Sequence, residues 1–295
     1  RNNGDKTFTD VSRQAGILIE GYSLGLNTSD INGDGWVDIF VSNDFASNDI
    51  LYINNGDGTF TDRLGEYFKH TSFASMGNDL ADVNNDGFTD LFISKGNVDS
   101  MPEYAAEDPN NLLLGQPDGT FVEGAVDAGI VHYDRSRGAA LVDLNLDGLL
   151  DLVEVNRVEN VNLWRSVGSG DVSNTVPMGN WLAVELAQPD VNVDAVGSWI
   201  EVKVGDHTVE REVSIGGGHA GGQIGWIHFG LGPSEEADIR VQWPDGAEGS
   251  WMTVAANQFI TISRGADAPE IWTPTTDLPR SEDQCPERHC ARSIC

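Results

Sequence analysis

One nine-residue pattern, Asp-x-Asn-x-Asp-Gly-x-x-Asp, occurs three times and constrains this chain more than any other feature. It starts at Asp30, at Asp82 and at Asp143, so the offsets are 52 and 61 residues. Two unrelated landmarks keep the same offsets. An Asp-x-Thr-Phe turn places Phe8, Phe60 and Phe121, and a Ser-x-Gly pair places Ser23/Gly25, Ser75/Gly77 and Ser136/Gly138. Three landmarks moving in step define an internal repeat.

Each unit reads as short strands and tight turns. Val37–Val41 and Asp90–Ile93 follow their loops as alternating or β-branched runs; Ile50–Ile53, the turn Asn55-Gly56-Asp57-Gly58 and Thr59–Thr61 come next. Asn-Gly and Asp-Gly supply the positive φ that hairpin turns need. Roughly four strands per unit is the pattern of a β-propeller blade. Residues 181–262 alternate as about seven strands with no helical apolar spacing, which predicts a small β-sandwich or barrel. The expected fold is all-β. Residues 1–165 form blades, 166–179 a linker, 180–263 the second β domain, and 264–295 a Pro/Asp-rich tail. Propellers close with about four to eight blades. Three repeats are therefore expected to be the terminal blades of a larger propeller of about seven, completed upstream or by a neighbouring chain. Arg1–Asp10 would form outer strands of the preceding blade.

The loop chemistry points to Ca²⁺, which takes about six to eight oxygen ligands. Positions 1, 3, 5 and 9 are Asp30, Asn32, Asp34 and Asp38, then Asp82, Asn84, Asp86 and Asp90, then Asp143, Asn145, Asp147 and Asp151. The backbone carbonyls of Trp36, Phe88 and Leu149 stand at position 7, and a glycine at position 6 permits the sharp turn. Three clustered carboxylates repel one another until a cation joins them. An acidic solvated turn would not keep this spacing three times. Mg²⁺ keeps its waters and takes fewer carboxylates. Glu154 completes an EF-hand pattern in the third loop, but Val41 and Ile93 hold that position in the others, so the match is a coincidence.

These residues resemble FG-GAP/VCBS propeller repeats, and more narrowly the cartilage acidic protein family. The resemblance rests on Asn43-Asp44-Phe45, Leu51-Tyr52, Asn54 to Phe60, and Ser136 to Ala140. After residue 179 the chain is similar to the ASPIC/UnbV domain, through Asn180-Trp181-Leu182, Gly197, His228 to Gly232, and Val241, Trp243 to Gly246. It covers about residues 1–263 and implies a secreted calcium-binding propeller with an appended all-β module. Gly216–Gly222 lacks the polar pattern expected there. The Cys tail is shorter than the epidermal-growth-factor-like module of animal members.

Forty-seven acidic against 17 basic residues give a net charge of −30, which repels nucleic acid and anionic lipid. No run of about 18 apolar residues is present for a membrane span. Cys285, Cys290 and Cys295 crowd the tail, compatible with one bridge and a free thiol in an oxidising compartment, or with a zinc site using His289. Gly21 to Gly25 matches a nucleophile-elbow string, but Ser23 and Gly25 recur in every repeat and read as architecture. Gly216–Gly222 reads as a turn between strands. Trp181, Trp199, Trp226, Trp243 and Trp251 read as core rather than sugar platforms. The expected function is a non-enzymatic, secreted or periplasmic interaction module, structured by three Ca²⁺, with an extracellular protein or glycan partner. The alternatives are a polysaccharide-active propeller enzyme, for which Glu103, Glu107 and Asp108 form the one candidate cluster, and a structural matrix or coat component.

Overall fold

A computed structural model describes residues 1–274 apart from residues 46, 98–105, 172, 190 and 220. Glu103, His289 and the three cysteines lie outside the described residues. The first repeat folds as β1 (Ser23–Ser29), β2 (Asp38–Asn43), β3 (Ile50–Asn54) and β4 (Phe60–Asp62), in sheet order β1-β2-β3-β4. A four-residue helix α1 (Leu64–Tyr67) leads to the second repeat, β5 (Ser75–Ala81), β6 (Asp90–Lys95), β7 (Asn111–Gly115) and β8 (Phe121–Glu123), ordered the same way. The third repeat has three strands, β9 (Ser136–Val142), β10 (Asp151–Asn156) and β11 (Asn162–Trp164). Among the described residues it has no fourth strand, and no Asp-x-Thr-Phe turn follows Trp164. In the other two repeats the Asp57 and Asp118 carboxylates each accept bonds from the amide and hydroxyl of Thr59 and Thr120. Asp5 and Thr7 make the same turn near the N-terminus, where Asn2 and Phe8 close a small hairpin.

Adjacent sheets share cores, as blades do. Phe40, Leu51 and Ile53 of the first pack with Leu80, Leu91, Ile93 and Phe121 of the second, with Phe68 stacked on Phe121 at 4.7 Å. Phe92 and Leu112 of the second pack with Leu141 and Leu152 of the third. Each such side chain contributes roughly 1.5–3 kcal/mol when buried. The Ser-x-Gly landmark is explained by the same approach. A Cβ on Gly25 would lie 2.5 Å from the Met76 carbonyl, and one on Gly77 would lie 2.6 Å from that of Arg137. The serines tie their blades: Ser23 donates to Asn43 at 2.9 Å and Ser136 to Asn156 at 2.9 Å. In the second repeat Lys95 replaces that asparagine, and Ser75 donates to Asp49 instead. No strand runs from Ser23 into a helix, so the nucleophile-elbow context is absent there.

The remaining strands are β12 (Asn180–Ala187), β13 (Trp199–Val204), β14 (His207–Glu212), β15 (Ile227–Gly232), β16 (Glu236–Gln242), β17 (Met252–Ala255), β18 (Gln258–Ser263) and β19 (Glu270–Trp272). They form two sheets, β15-β12-β18-β19 and β14-β13-β16-β17, which bury Leu182, Val184, Ile200, Ile239 and Ile260 in one common core. The β12–β18 pairing is parallel. The chain is thus an all-β, propeller-type fold of five sheets. Among the described residues no helix is long and apolar enough to cross a membrane.

Trp181 and Trp243 are buried, as core residues should be; Trp199 and Trp226 are only half-buried, and Trp251 is exposed beneath the Arg240 guanidinium.

Candidate metal centre

The three aspartate loops connect the first and second strands of each repeat and adopt one geometry. In the first, the Asp30 carboxylate accepts the amides of Gly33, Asp34 and Gly35 at 2.8–3.1 Å. Asn32 donates its side-chain amide to Asp34 at 2.9 Å, and Asp34 accepts the Trp36 amide at 2.9 Å. Asp38 closes the ring by accepting the Ile31 amide at 3.0 Å, and it reaches outward to the Asn54 amide at 2.8 Å. Asp82, Asn84, Asp86 and Asp90 repeat these bonds, with Gly115 in the role of Asn54. Asp143, Asn145, Asp147 and Asp151 repeat them again, with Ser166 in that role. Position 6 is left-handed in all three, with φ of 85° at Gly35, 95° at Gly87 and 84° at Gly148.

These carboxylates are poorly placed as free anions. Burial raises the Asp38 carboxyl to about 6, with the Asp30 and Asp34 charges adding to it. Burial and then the Asp86 charge push Asp82 up to about 7, and burial and Asp82 push Asp90 up. Asp30, Asp143 and Asp151 are raised by burial as well. Among the described residues the first two loops form no ion pair with a basic side chain, and the third has only Arg165, 4.0 Å from Asp147. The donor set therefore fits a hard divalent cation: all oxygen, excess negative charge, partly desolvated. Its side chains are turned to backbone amides, and among the described residues no three Asp, Glu, His or Cys converge as a metal cluster. Glu154 lies apart from the third loop, fully buried and bonded to His132 and Asn110.

Sequence reasoning missed what the loops touch. Position 4, a variable x in the motif, is left-handed in each loop, with φ of 73° at Gly33, 60° at Asn85 and 61° at Leu146. Each of these residues meets the C-terminal sheets. Gly33 faces the His207 ring, whose Nε2 lies 3.0 Å from the Gly87 carbonyl of the second loop. Asn85 holds His228 Nε2 at 2.6 Å, donates to the Gly148 carbonyl at 3.1 Å, and accepts the Gly232 amide at 2.9 Å. Leu146 packs into the cluster of Trp181, Phe259, Trp226 and Trp272. The His228–Gly232 segment is thus a docking strand. A Cβ on Gly230 would lie 1.9 Å from an Asp82 carboxylate oxygen. Gly216–Gly222 also docks: Gly218 bridges Leu26 of β1.

The repeats, their loops and the sheets seated on them resemble one class of protein, in which an FG-GAP-like repeat is joined to an ASPIC and UnbV region. The profile of the FG-GAP-like repeat matches residues 30–93 and that of ASPIC and UnbV matches residues 188–269. The chain is homologous to the cartilage acidic protein family. It is 27% identical to cartilage acidic protein 1 of Xenopus tropicalis over 265 residues, covering 83% of this chain and 37% of that protein. Against the human protein it is 27% identical over 256 residues, covering 83% of this chain and 36% of the relative. For Mus musculus the identity is 27% over 272 residues, with 88% and 40% covered. The chain therefore spans well under half the length of these relatives. A solved structure of an Agrocybe aegerita lectin that recognises non-reducing terminal N-acetylglucosamine aligns at 23% identity, covering 55% of this chain and 44% of the lectin. Its TM-score of 0.28 is too low to carry an argument.

Proposed function

We propose that each loop holds one Ca²⁺ in a structural role, through Asp30, Asn32, Asp34, the Trp36 carbonyl and Asp38, and the equivalent residues of the other two loops. The ions rigidify a non-enzymatic extracellular interaction or adhesion module whose partner is a protein or glycan. The observation that carries this reading is the thrice-repeated pairing of two buried or half-buried carboxylates at positions 1 and 9 with a more exposed one at position 5, whose charges oppose one another with almost no basic side chain among the described residues to answer them. The enzyme alternative gains nothing from Asp108, whose carboxylate is committed to Lys95 at 3.3 Å and the Phe73 amide at 2.8 Å. On the same reading residues 1–165 are blades of a larger propeller of about seven, 166–179 a linker, 180–263 a separate two-sheet unit, and 264–295 a tail.

Titration of Ca²⁺ by calorimetry and thermal melts with and without EGTA test it. Three ions should bind, and each of Asp34→Ala, Asp86→Ala and Asp147→Ala should remove one. At free Ca²⁺ of 10 to 100 times the dissociation constant each site adds roughly 1.4–2.7 kcal/mol. A melting curve that EGTA leaves unmoved refutes the proposal.

A further inference from the structure

Between the inner strands of the repeats and the segment running from β14 to β15 lies a cleft of about 420 Å³. Its walls include Ser29 of β1, Asp79 of β5, and Arg211, Gln223, Trp226 and His228. Two of its polar groups are deeply buried and unanswered. Ser29 is 2% exposed and its hydroxyl has no hydrogen-bond partner; His228 is 6% exposed and its Nδ1 has none. Native interiors satisfy nearly all such groups, so two on one cleft call for an explanation.

We infer that this cleft is the binding site for a neutral saccharide unit. The inference rests on the proposed glycan partner and gives that partner a place.

The chemistry selects the ligand class. Burial holds the His228 imidazole far below its usual titration range, at about 3. The ring is therefore neutral at physiological pH. With Nε2 facing the Asn85 Oδ1 at 2.6 Å, that nitrogen carries the proton and Nδ1 is left as a bare acceptor. The Ser29 hydroxyl can donate and accept. Gln223 is exposed, and its amide is engaged only at 3.4 Å, with Asp79 and the Leu141 carbonyl, so it can turn to a ligand. A sugar hydroxyl both donates and accepts, and so matches this mixture of acceptor, dual group and donor.

Anions do not fit. The carboxylates of Asp79 and Glu212 line the cleft against the single guanidinium of Arg211, which is itself bonded to the Leu80 carbonyl at 2.5 Å. A cationic ligand finds little better. Asp79 is already taken up by the Leu80 amide at 2.9 Å and the Leu141 amide at 2.8 Å. The half-buried Trp226 and the Phe259 ring add apolar wall against which the C–H face of a pyranose can lie. The volume falls within the roughly 300–1,000 Å³ of small-ligand sites, which suits one or two sugar units.

The test uses the full chain in excess Ca²⁺. A printed array carrying neutral and sialylated oligosaccharides is read first, and lactose, maltose and cellobiose are then titrated by calorimetry. Neutral sugars should bind, and sialylated ends should add nothing. Ser29→Ala and Gln223→Ala should each weaken binding about 3–10-fold, the loss of one hydrogen bond, with melting temperatures near that of the parent. Gln223→Ala alters an exposed side chain and keeps the test open if Ser29→Ala fails to fold. If neutral sugars bind but neither variant weakens them, the cleft is not the site, although the glycan reading survives. If no sugar binds, or only sialylated ones do, the inference is overturned.

Discussion

Asn85→Ala strikes the joint between the repeats and the C-terminal sheets, and its cost can be assembled from the structure. Asn85 sits at φ 60°, where alanine meets a penalty of roughly 1–2 kcal/mol. Removing its side chain deletes the bond to the Gly148 carbonyl and the contact with His228 Nε2, at roughly 0.5–1.5 kcal/mol each. His228 already lacks a partner at Nδ1, so the substitution strands a buried ring with no partner at either nitrogen. An unsatisfied buried group costs about 1–3 kcal/mol. These terms overlap, and a loss of about 3–5 kcal/mol is expected. For a chain of 295 residues that lowers Tm by roughly 5–8 °C. Asn85→Gly separates the terms. It makes the same polar deletions but is at ease at positive φ, and should stand about 1–2 kcal/mol above Asn85→Ala. Scanning calorimetry and denaturant titration in excess Ca²⁺ read both. Stabilities of both variants within about 0.5 kcal/mol of the parent would show that the joint contributes nothing, and would refute the reasoning.

Two predictions concern polar groups buried among the blades. His132 lies between Glu154 and Asp134, beside Asn110 and stacked on Trp164. The hydrogen bond that the imidazole donates to the Glu154 carboxylate, with the Glu154 and Asp134 charges, raises its titration above 6.5 in the folded chain, against the effect of burial. A raised folded value means that this contribution is complete below about pH 6.5 and is lost as pH rises through the folded value. The stability gap between the parent and His132→Gln should therefore be about 1–2 kcal/mol at pH near 6 and shrink toward pH 9; denaturant midpoints across that range check it, and a gap that grows with pH contradicts it. Lys95 is fully buried against Asp108, with Asp49 near enough to feel its charge. Lys95→Met should cost about 3–5 kcal/mol by leaving buried carboxylates without a counter-charge, and Lys95→Met with Asp108→Asn should recover part of it by denaturant unfolding.

Much of this was legible because it is local. The loop spacing, the Asp-x-Thr hairpin turn and the Ser-x-Gly pair are set by residues a few positions apart, and each recurs in register. The three-stranded third sheet departs from the four strands expected of each unit, and no Asp-x-Thr-Phe turn follows Trp164 to build the last one. The docking surface was not legible. Asn85 and His228 are 143 residues apart, and position 4 carries Gly33, Asn85 and Leu146, three side chains with nothing in common. Only the shared left-handed backbone and the shared neighbour unite them. The parallel β12–β18 pairing is hidden for a similar reason, since alternation reveals a strand but not its partner. Glu154 misleads in the opposite sense: it completes a motif by spacing while its side chain points to His132.

The position-4 contacts bear on how ion removal should propagate. Chelation would be expected to loosen the repeats alone if the C-terminal sheets stood apart from them. Instead Asn85, between Asn84 and Asp86, the proposed ligands of the second loop, is bonded to His228 and the Gly232 amide, and Gly230 lies against Asp82. Losing an ion from the second loop would free Asp82 and Asp86 to repel, shift the backbone between them, and slacken β15 at the same time. The C-terminal core itself, around Val184, Ile200, Ile239 and Ile260, includes no residue of the loops and should hold. Hydrogen exchange with EGTA should therefore rise in β5, β6 and the Ile227–Gly232 strand together, while amides of β13 and β16 keep their protection. A rise confined to the repeats, with β15 unchanged, would mean that the docking strand does not sense the loops.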